Sequence, residues 1–249
     1  MKLVGTIAFA CVYLNVIVNA GPIPKYIHLC KRNDPEVGKC VRASIEVLRP
    51  HLKSGIPELG VPTLEPFHIP KIDIIRGQNS NNFRAGLSNI DVFGASDFQI
   101  KKLKVDVPER TISAVVEIPV LMLIADYDVD ARILVVPVKG EGKVHANATA
   151  ITGKAIGKYE IEERADGRYI KFTTLNVNLN VGDYNVKLEN LFQGDPTLGQ
   201  AANSILNDNK EELIKHAIPF LEEKVSEILL DTANNIVRNF KYDEVFPEK

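Results

Sequence analysis

The sequence lacks the residue spacings of the common catalytic and metal-binding sites. No two of its five histidines lie two or four residues apart, which is the spacing that zinc sites use. The segments GLSNI and GASDF begin like a nucleophile elbow but lack its final glycine, and there is no P-loop. We therefore expect a protein that is not an enzyme and that needs no cofactor and no metal ion.

The chain also lacks an excess of charge, and it has no tryptophan and only two methionines. Its 30 Lys and Arg face 32 Asp and Glu, a balance without the basic surface that nucleic acid or anionic lipid attracts. No stretch after the first twenty residues is apolar enough to span a membrane. We expect no binding to nucleic acid and no stable insertion into a membrane.

One apolar run does occur, at the very start. Residues 3–18 are uncharged and mostly apolar, they follow Lys2, and Val18-Asn19-Ala20 puts small residues where a signal peptidase cleaves. The rival interpretation is a membrane anchor, but the run is shorter than the ~20 apolar residues of a span. We predict a signal peptide at 1–20, a single domain at 21–249, and a secreted, extracellular protein.

Cysteine is scarce, and Cys11 would leave with the signal peptide. Cys30 and Cys40 bracket a short polar loop, which in a secreted chain favours a disulfide worth about 2–3 kcal/mol. Two free thiols are the alternative, and the spacing fits no C-x-x-C motif. Asn147 opens the only N-glycosylation sequon, Asn-Ala-Thr, and export would make it usable.

Hydrophobic periodicity divides the rest of the chain. One helix is expected at about 35–52, with Asp34 as its N-cap. Alternating apolar runs follow at 98–107, with a register slip at Lys101-Lys102, and at 125–136, 175–181 and 184–192. Turn signals at 77–82, 108–110, 140–142, 166–167 and 182–183 predict an antiparallel meander with one apolar face.

Three aspartates, Asp126, Asp128 and Asp130, occupy one face of the second of these runs. A calcium site is one interpretation, but carboxylates spaced ~6.6 Å along a strand do not converge on an ion. We interpret them as charges that prevent pairing at a strand edge.

The last pattern is helical and long. Residues 204–240 repeat apolar positions at intervals of three, four or seven, which predicts one rod of roughly 55 Å. A sheet of long strands must twist and curve, and the apolar stripe of the rod would fill its concave side. The expected fold class is α+β, a long C-terminal helix against a curved antiparallel sheet.

Several segments resemble those of the takeout and juvenile-hormone-binding proteins of insects. They are LRPHLKSGIPELGVPTLEPFHIPKIDI, the block YDVDARILVVPVKGEG and the stretch NLFQGDPTLGQAANSILNDNKEEL. Lys210 stands where the family often has tryptophan. No cysteine follows Cys40, so a second disulfide is missing, which favours the takeout-like branch. The resemblance implies a long helix wrapped by a highly curved sheet that encloses an apolar tunnel.

The same resemblance implies a carrier in haemolymph or another extracellular fluid. Its ligand would be a small, extended, lipophilic molecule: a terpenoid such as juvenile hormone, a fatty acid or a prenylated lipid. The alternative is a membrane-contacting lipid-transfer or lipopolysaccharide-binding protein, which the acidic charge disfavours. We expect a monomer that delivers its ligand to an unidentified receptor. The predicted tunnel lining is Phe83, Phe98, Val116, Ile118, Tyr127, Ile133, Val135, Phe172, Leu175, Val177, Phe192, Leu213, Ile214, Ala217, Ile218, Leu221, Val225 and Ile228.

Overall fold

The computed structural model describes residues 23–24, 26–74, 84–133 and 136–248, and the side chains of all of these except 74, 84–85, 131–133 and 136–137. Within these residues the helices are α1 (Val37–Ser54), α2 (Pro196–Asp208), α3 (Lys210–Val237) and α4 (Tyr242–Val245). The strands are β1 (Phe67–Ile74), β2 (Arg84–Phe93), β3 (Gln99–Asp106), β4 (Thr111–Ile133), β5 (Val136–Arg164), β6 (Gly167–Asn180) and β7 (Asp183–Leu188). The predicted signal peptide lies outside the described residues.

All seven strands belong to one antiparallel sheet built on the long pair β4 and β5. β2 and β3 share one side of β4, β6 and β7 share the far side of β5, and β1 lies outside β2. β4 and β5 have 23 and 29 residues, against a usual five or six, and strands of this length twist and coil. The sheet is a curled half-barrel that carries a C-terminal helix, which confirms the predicted α+β class.

Most of the local strand signals are confirmed. The β3–β4 register shifts between Ile100 and Lys102, where the sequence predicts a slip. Turns occur at 107–110 between β3 and β4, at 165–166 between β5 and β6, and at 181–182 between β6 and β7, each within one residue of its predicted position. The predicted turn at 77–82 lies outside the described residues.

The turn predicted at 140–142 is wrong, because β5 continues straight through it. Its glycines serve close packing instead. A Cβ on Gly142 would lie 2.7 Å from the carbonyl oxygen of Glu189, and a Cβ on Gly140 would lie 3.1 Å from Cα of Leu191. The segment that follows β7 therefore rests directly on β5, and only glycine allows this approach.

The predicted C-terminal rod is two helices, so the prediction of one continuous helix is wrong. The chain leaves helical geometry at Asn209, with φ −106° and ψ 24°, and the Asn209 side chain donates to the carbonyl of Ile205 at 2.8 Å. Asparagine favours such local bonds over the helical ladder, which explains the break. α3 alone continues through Pro219 for 28 residues, or ~42 Å.

Two helix starts also differ from the sequence prediction. α1 begins two residues late, because Asp34 accepts a hydrogen bond from the backbone N–H of Glu36 at 2.8 Å and caps the preceding turn. α2 begins earlier than predicted, at Pro196. There Asp195 accepts from the N–H groups of Thr197 and Leu198, both at 2.9 Å, which makes it a true N-cap.

The N-terminal and C-terminal segments close one end of the sheet together. Cys30 and Cys40 form the predicted disulfide, which joins the segment before α1 to the first turn of that helix. The guanidinium groups of Arg32 and Arg168 lie 4.8 and 5.5 Å from the centre of the Tyr242 ring. Both also pair with Asp243, at 2.5 and 2.8 Å.

Helix side chains satisfy the free edge of β6. Asn234 of α3 accepts from the N–H of Phe172 at 2.8 Å and donates to its carbonyl at 3.0 Å. Ser226 accepts from the N–H of Val177, and Glu222 from that of Leu179. An unpaired strand edge invites aggregation, and these bonds cover it while fixing α3 along the edge.

The edge of β7 is covered in the same way by α2. Asn203 accepts from the N–H of Leu188 at 2.8 Å and donates to its carbonyl at 2.9 Å. Asn207 makes the equivalent pair with Val186, at 2.9 and 2.7 Å. Amide side chains therefore take the place of an eighth strand along this edge, within the part of the chain described.

Candidate functional site

The apolar stripe of α3 points away from the strand edge that anchors the helix. Successive residues of an α-helix are about 100° apart, so the anchoring side of Glu222 and Ser226 lies about 100° from the stripe centred on Leu221 and Val225. Exposed residues such as Glu227 lie opposite the stripe. Ile214 and Ile218 of the stripe line one cleft together with Leu179 of β6, so the stripe lies on the same side of the sheet as the Leu179 side chain.

Packing against the rest of the described chain does not bury this stripe. No residue of the 28 in α3 is buried, and the helix packs chiefly against β6. Ile218, Leu221, Val225 and Ile228 are half-buried, and Leu229 is 41% exposed. A helix of this length with an apolar stripe and no buried side chain leaves apolar surface that nothing in the described chain covers.

The floor opposite the stripe is formed by small residues of β5. Ala146 and Ala148 face inward before Ala150, and Gly153, Ala155 and Gly157 face inward after it. The inward positions change from even-numbered to odd-numbered residues at Ala150, whose φ is positive, +51°. A Cβ on Gly153 would meet only the Leu179 side chain, at 3.7 Å. The Phe172 ring fills the space above Gly157, at 3.4 Å from a Cβ placed there, so the room above the sheet lies over Gly153 and the alanines.

Two packed clusters bound this space. One, with Ile90, Val144 and Leu191 at its centre, lies where β2, β4, β5 and α2 meet. The other, with Val105 and Ile170, lies at the disulfide-linked end. We call the apolar region between them the trough. It consists of the α3 stripe (Ile214, Ile218, Leu221, Val225, Ile228) and of the inward residues of β5 and β6 (Ala146, Ala148, Gly153, Ala155, Gly157, Leu175, Val177, Leu179).

A cleft leads into the seam between helix and sheet. It has a volume of about 360 Å³ and lies where the end of β6 meets the first half of α3. Apolar Leu179, Ile214 and Ile218 line it together with the polar Asn180 and Lys215. The trough is therefore accessible beside α3, through an opening with both apolar and polar walls.

Tyr127 and Tyr159 are two of the buried tyrosines in the end clusters. Tyr127 donates its hydroxyl to the carbonyl of Glu189 at 2.5 Å, whereas the Tyr159 hydroxyl has no partner among the described residues. Burial raises the pKa of Tyr159 to about 12, and burial together with the nearby Glu189 raises the pKa of Tyr127 to about 12. Both phenols therefore stay neutral in the folded protein well above pH 10.

These two phenols predict a loss of stability in alkali. Because the folded pKa exceeds the unfolded value near 10, the stability is intact below pH 10 and is lost as the pH rises toward 12. We expect the free energy of unfolding to fall by about 2 kcal/mol for each tyrosine across this interval. Urea titrations at a series of pH values measure this fall.

Phenylalanine variants separate the two tyrosines. Tyr159→Phe removes an unpartnered hydroxyl, so it should keep its stability at neutral pH, whereas Tyr127→Phe loses one bond and about 1 kcal/mol. In each variant the free energy of unfolding should fall less steeply with pH in the alkaline range. Lysines titrate equally in all the proteins. If the free energy of unfolding falls as steeply with pH in the double variant as in the unmodified protein, the two tyrosines are not the cause of the alkaline loss.

The predicted lining residues are found in several environments. Leu213, Ile214, Ile218, Leu221, Val225 and Ile228 are half-buried on α3, while Ala217 is exposed. Val116, Ile118 and Leu175 are half-buried on β4 and β6, and Val177 is buried. Which of them contact a ligand remains a prediction.

The predicted aromatic residues lie at the ends of the sheet. Phe172 packs edge-on against Tyr159, with ring centres 5.8 Å apart. Phe98, just before β3, lies beneath the guanidinium of Arg49, and Phe192 lies in the turn after β7. Tyr127 belongs to the first end cluster. Phe83 and Val135, and the side chain of Ile133, are outside the described residues.

The aspartates of β4 do not protect an edge, so that interpretation is wrong: β4 is paired on both sides. Asp126 pairs with Lys143 at 2.5 Å and Asp130 with Lys139 at 2.8 Å, both across to β5. Hydrogen bonds from Asn89 and then Lys143 lower the pKa of Asp126. Cross-strand ion pairing explains the pattern.

The sequence interpretation placed no lining residue of the tunnel on β5. The β5 residues that belong to the trough are alanine and glycine, which are depleted in strands, and a turn was predicted at 140–142. The alternation of small inward residues with outward Lys154, Ile156 and Lys158 was the available signal. It was weak because alanine adds little to a hydrophobic pattern.

Comparison with known proteins gives consistent relatives. A "Putative beta-carotene-binding protein" of Schistocerca gregaria is 25% identical over 224 residues, 86% of each chain. The "Circadian clock-controlled protein daywake" of Drosophila melanogaster is 24% identical over 234 residues, 91% of this chain and 89% of that one. The crystal structure of Epiphyas postvittana Takeout 1 superposes with a TM-score of 0.74 at 19% identity, covering 89% of this chain and 100% of that one.

The superposition on Takeout 1 establishes the shared fold. A lipopolysaccharide binding protein superposes with a TM-score of only 0.39, which carries no weight for the alternative function. Among the described residues, no helix has the length and apolar character needed to cross a membrane. The sequence profile described as Haemolymph juvenile hormone binding protein (JHBP) matches residues 6–247. The chain therefore belongs to this family, whose members bind and carry hydrophobic ligands.

Proposed function

We propose that the protein is a secreted carrier that holds an extended lipophilic ligand in a tunnel formed over the trough. The observation that supports this most directly is α3, a helix of 28 residues whose apolar stripe has no buried side chain. A ligand lying between the stripe and the small residues of β5 would supply the packing that the chain itself does not.

The energetics of such a complex are favourable. Burial of apolar surface contributes about 25 cal/mol per Å², so a ligand that buries ~300 Å² gains ~7–8 kcal/mol before association costs. This corresponds to dissociation constants around the micromolar range, and better where the ligand is rigid. The elongated trough favours long molecules over compact ones of equal area.

The ligand class we propose is a terpenoid such as juvenile hormone, a fatty acid or a prenylated lipid. The Schistocerca gregaria relative is named for beta-carotene, which is itself an extended apolar chain. The trough is lined by aliphatic side chains, without charged groups among its defining residues. Selectivity would therefore come from length and shape, as in other apolar sites.

Export is the second part of the proposal. Residues 1–20 have the organisation of a signal peptide, and the Cys30–Cys40 disulfide suits an oxidising compartment. In this compartment the carrier would solubilise its ligand in haemolymph or another fluid. We propose no catalytic step for the bound molecule.

A direct experiment tests the carrier function. The full chain is expressed in insect cells, and the protein from the medium is analysed by native mass spectrometry before and after organic extraction. We expect an extractable mass, and an extracted protein that binds N-phenyl-naphthylamine or a dansyl-labelled fatty acid at about micromolar concentration. Absence of tryptophan makes such dyes the suitable reporters.

The opposite outcome is equally clear. A folded protein that leaves the cells without a bound molecule, and that enhances the emission of neither dye, would overturn the proposal. Circular dichroism of the same sample establishes that the protein is folded.

A further inference from the structure

The outer face of the sheet carries an apolar stripe of its own. Val120, Met122 and Ile124 are alternate residues of β4 and are 45%, 49% and 39% exposed. Half-buried Phe93 is paired with Met122 and extends the stripe toward β2. We call Val120, Met122 and Ile124 the outer stripe. Contiguous exposed apolar residues indicate a covered surface more strongly than scattered ones do.

The only N-glycosylation sequon lies in register with the centre of this stripe. Asn147 of β5 is paired directly with Met122, and Thr149 with Val120. Directly opposed residues of an antiparallel pair share a face, with Cβ atoms about 4.5–5.5 Å apart. The acceptor amide and the hydroxyl of the sequon therefore stand beside the outer stripe.

The strand geometry presents this sequon to solvent. Asn147 and Thr149 are exposed on the outer face, whereas Ala148 between them faces the trough. On the other side of Asn147 stands Asn185 of β7, which is also exposed. A sugar attached to Asn147 would have free space above it and the side chain of Met122 beside it.

We propose that Asn147 carries an N-linked glycan and that this glycan covers the outer stripe. In the modification, the side-chain amide nitrogen of Asn147 bonds to the first sugar of a lipid-diphosphate-linked oligosaccharide. The amide loses a proton, and the lipid diphosphate leaves. The apolar faces of the first sugars then lie on the stripe, and their hydroxyls face water. The inference rests on the export part of the proposed function and is independent of ligand binding.

The first test is the modification itself. Protein secreted from insect cells should lose the mass of one oligosaccharide on treatment with peptide N-glycosidase. Thr149→Ala should abolish that mass while leaving Asn147 intact, and Thr149→Ser, which preserves the sequon, should retain it. Exported protein without a glycan overturns this inference alone, while a chain that is not exported overturns the export proposal as well.

The second test is the covering, and the sequence provides a single reporter. Met122 is the only methionine after residue 1, so oxidation to the sulfoxide by dilute peroxide follows one site by mass spectrometry. We expect the thioether to oxidise several-fold more slowly in the glycosylated protein than in the Thr149→Ala variant. Enzymatic removal of the glycan should restore the faster rate, and equal rates in all three samples would overturn the covering.

Discussion

Ala155→Trp should lower the affinity for an extended probe by more than about tenfold. Ala155 faces the trough from β5, opposite Val177, and an indole there would occupy the volume of about three CH₂ groups of a bound chain. Each displaced CH₂ costs about 0.8 kcal/mol, or about 2 kcal/mol in total. Titration of the extracted protein with a dansyl-labelled fatty acid measures the loss.

The neighbouring position provides a matched control. Ile156→Trp introduces the same side chain one residue later, on the outer face, where Ile156 is 52% exposed. It should bind the probe like the unmodified protein. Each variant also introduces the only tryptophan of the chain, whose emission should be blue-shifted at 155 and that of water-exposed indole at 156. Equal affinities in the two variants would contradict a ligand site over β5.

The second large effect is expected at the covered sheet edge. Asn234→Ala leaves the N–H and the carbonyl of Phe172 without partners, and Asn207→Ala does the same to Val186. Each loss should cost about 1–3 kcal/mol of unfolding free energy. The two sites lie on different helices, so their effects should add. The double variant would lose much of the 5–15 kcal/mol that typically stabilises a protein.

Urea titration measures these losses, and light scattering reports the second consequence, because an uncovered edge promotes association between chains. Asn178→Ala is the control, since Asn178 is exposed on β6 and its side chain makes none of these edge bonds. It should leave both readouts unchanged. If Asn234→Ala and Asn178→Ala are equally stable, the edge bonds do not fix the helix.

The architecture was accessible from sequence where a strong periodic pattern met a clear turn signal. The slip at Lys101-Lys102 was visible because two adjacent polar residues interrupt an otherwise strict alternation. The break at Asn209 was not visible from the sequence, because the apolar stripe continues across it and a single asparagine is common inside helices. The predicted start of α1 after Asp34 was two residues too early, because an Asx turn and a helix N-cap use the same side chain.

The candidate site was harder to predict than the fold. Periodicity identified the stripe of α3 but could not tell whether the stripe is packed or left open. The floor on β5 was missed because a surface that leaves room is made of residues that contribute little hydrophobicity. The edge amides Asn203, Asn207 and Asn234 were equally invisible, since their partners are backbone groups more than a dozen residues away in the chain.

The contacts of Arg32 and Arg168 with the Tyr242 ring have a consequence for folding. Phe246 is buried in the same cluster, and the backbone N–H of Arg32 donates to the carbonyl of Pro247 at 2.9 Å. Arg32 and Asp243 are 211 residues apart in the sequence, so bringing them together costs more chain entropy than closing the local disulfide loop does. The disulfide-linked end of the sheet therefore depends on contacts of high sequence separation, and contacts of this kind form slowly during folding.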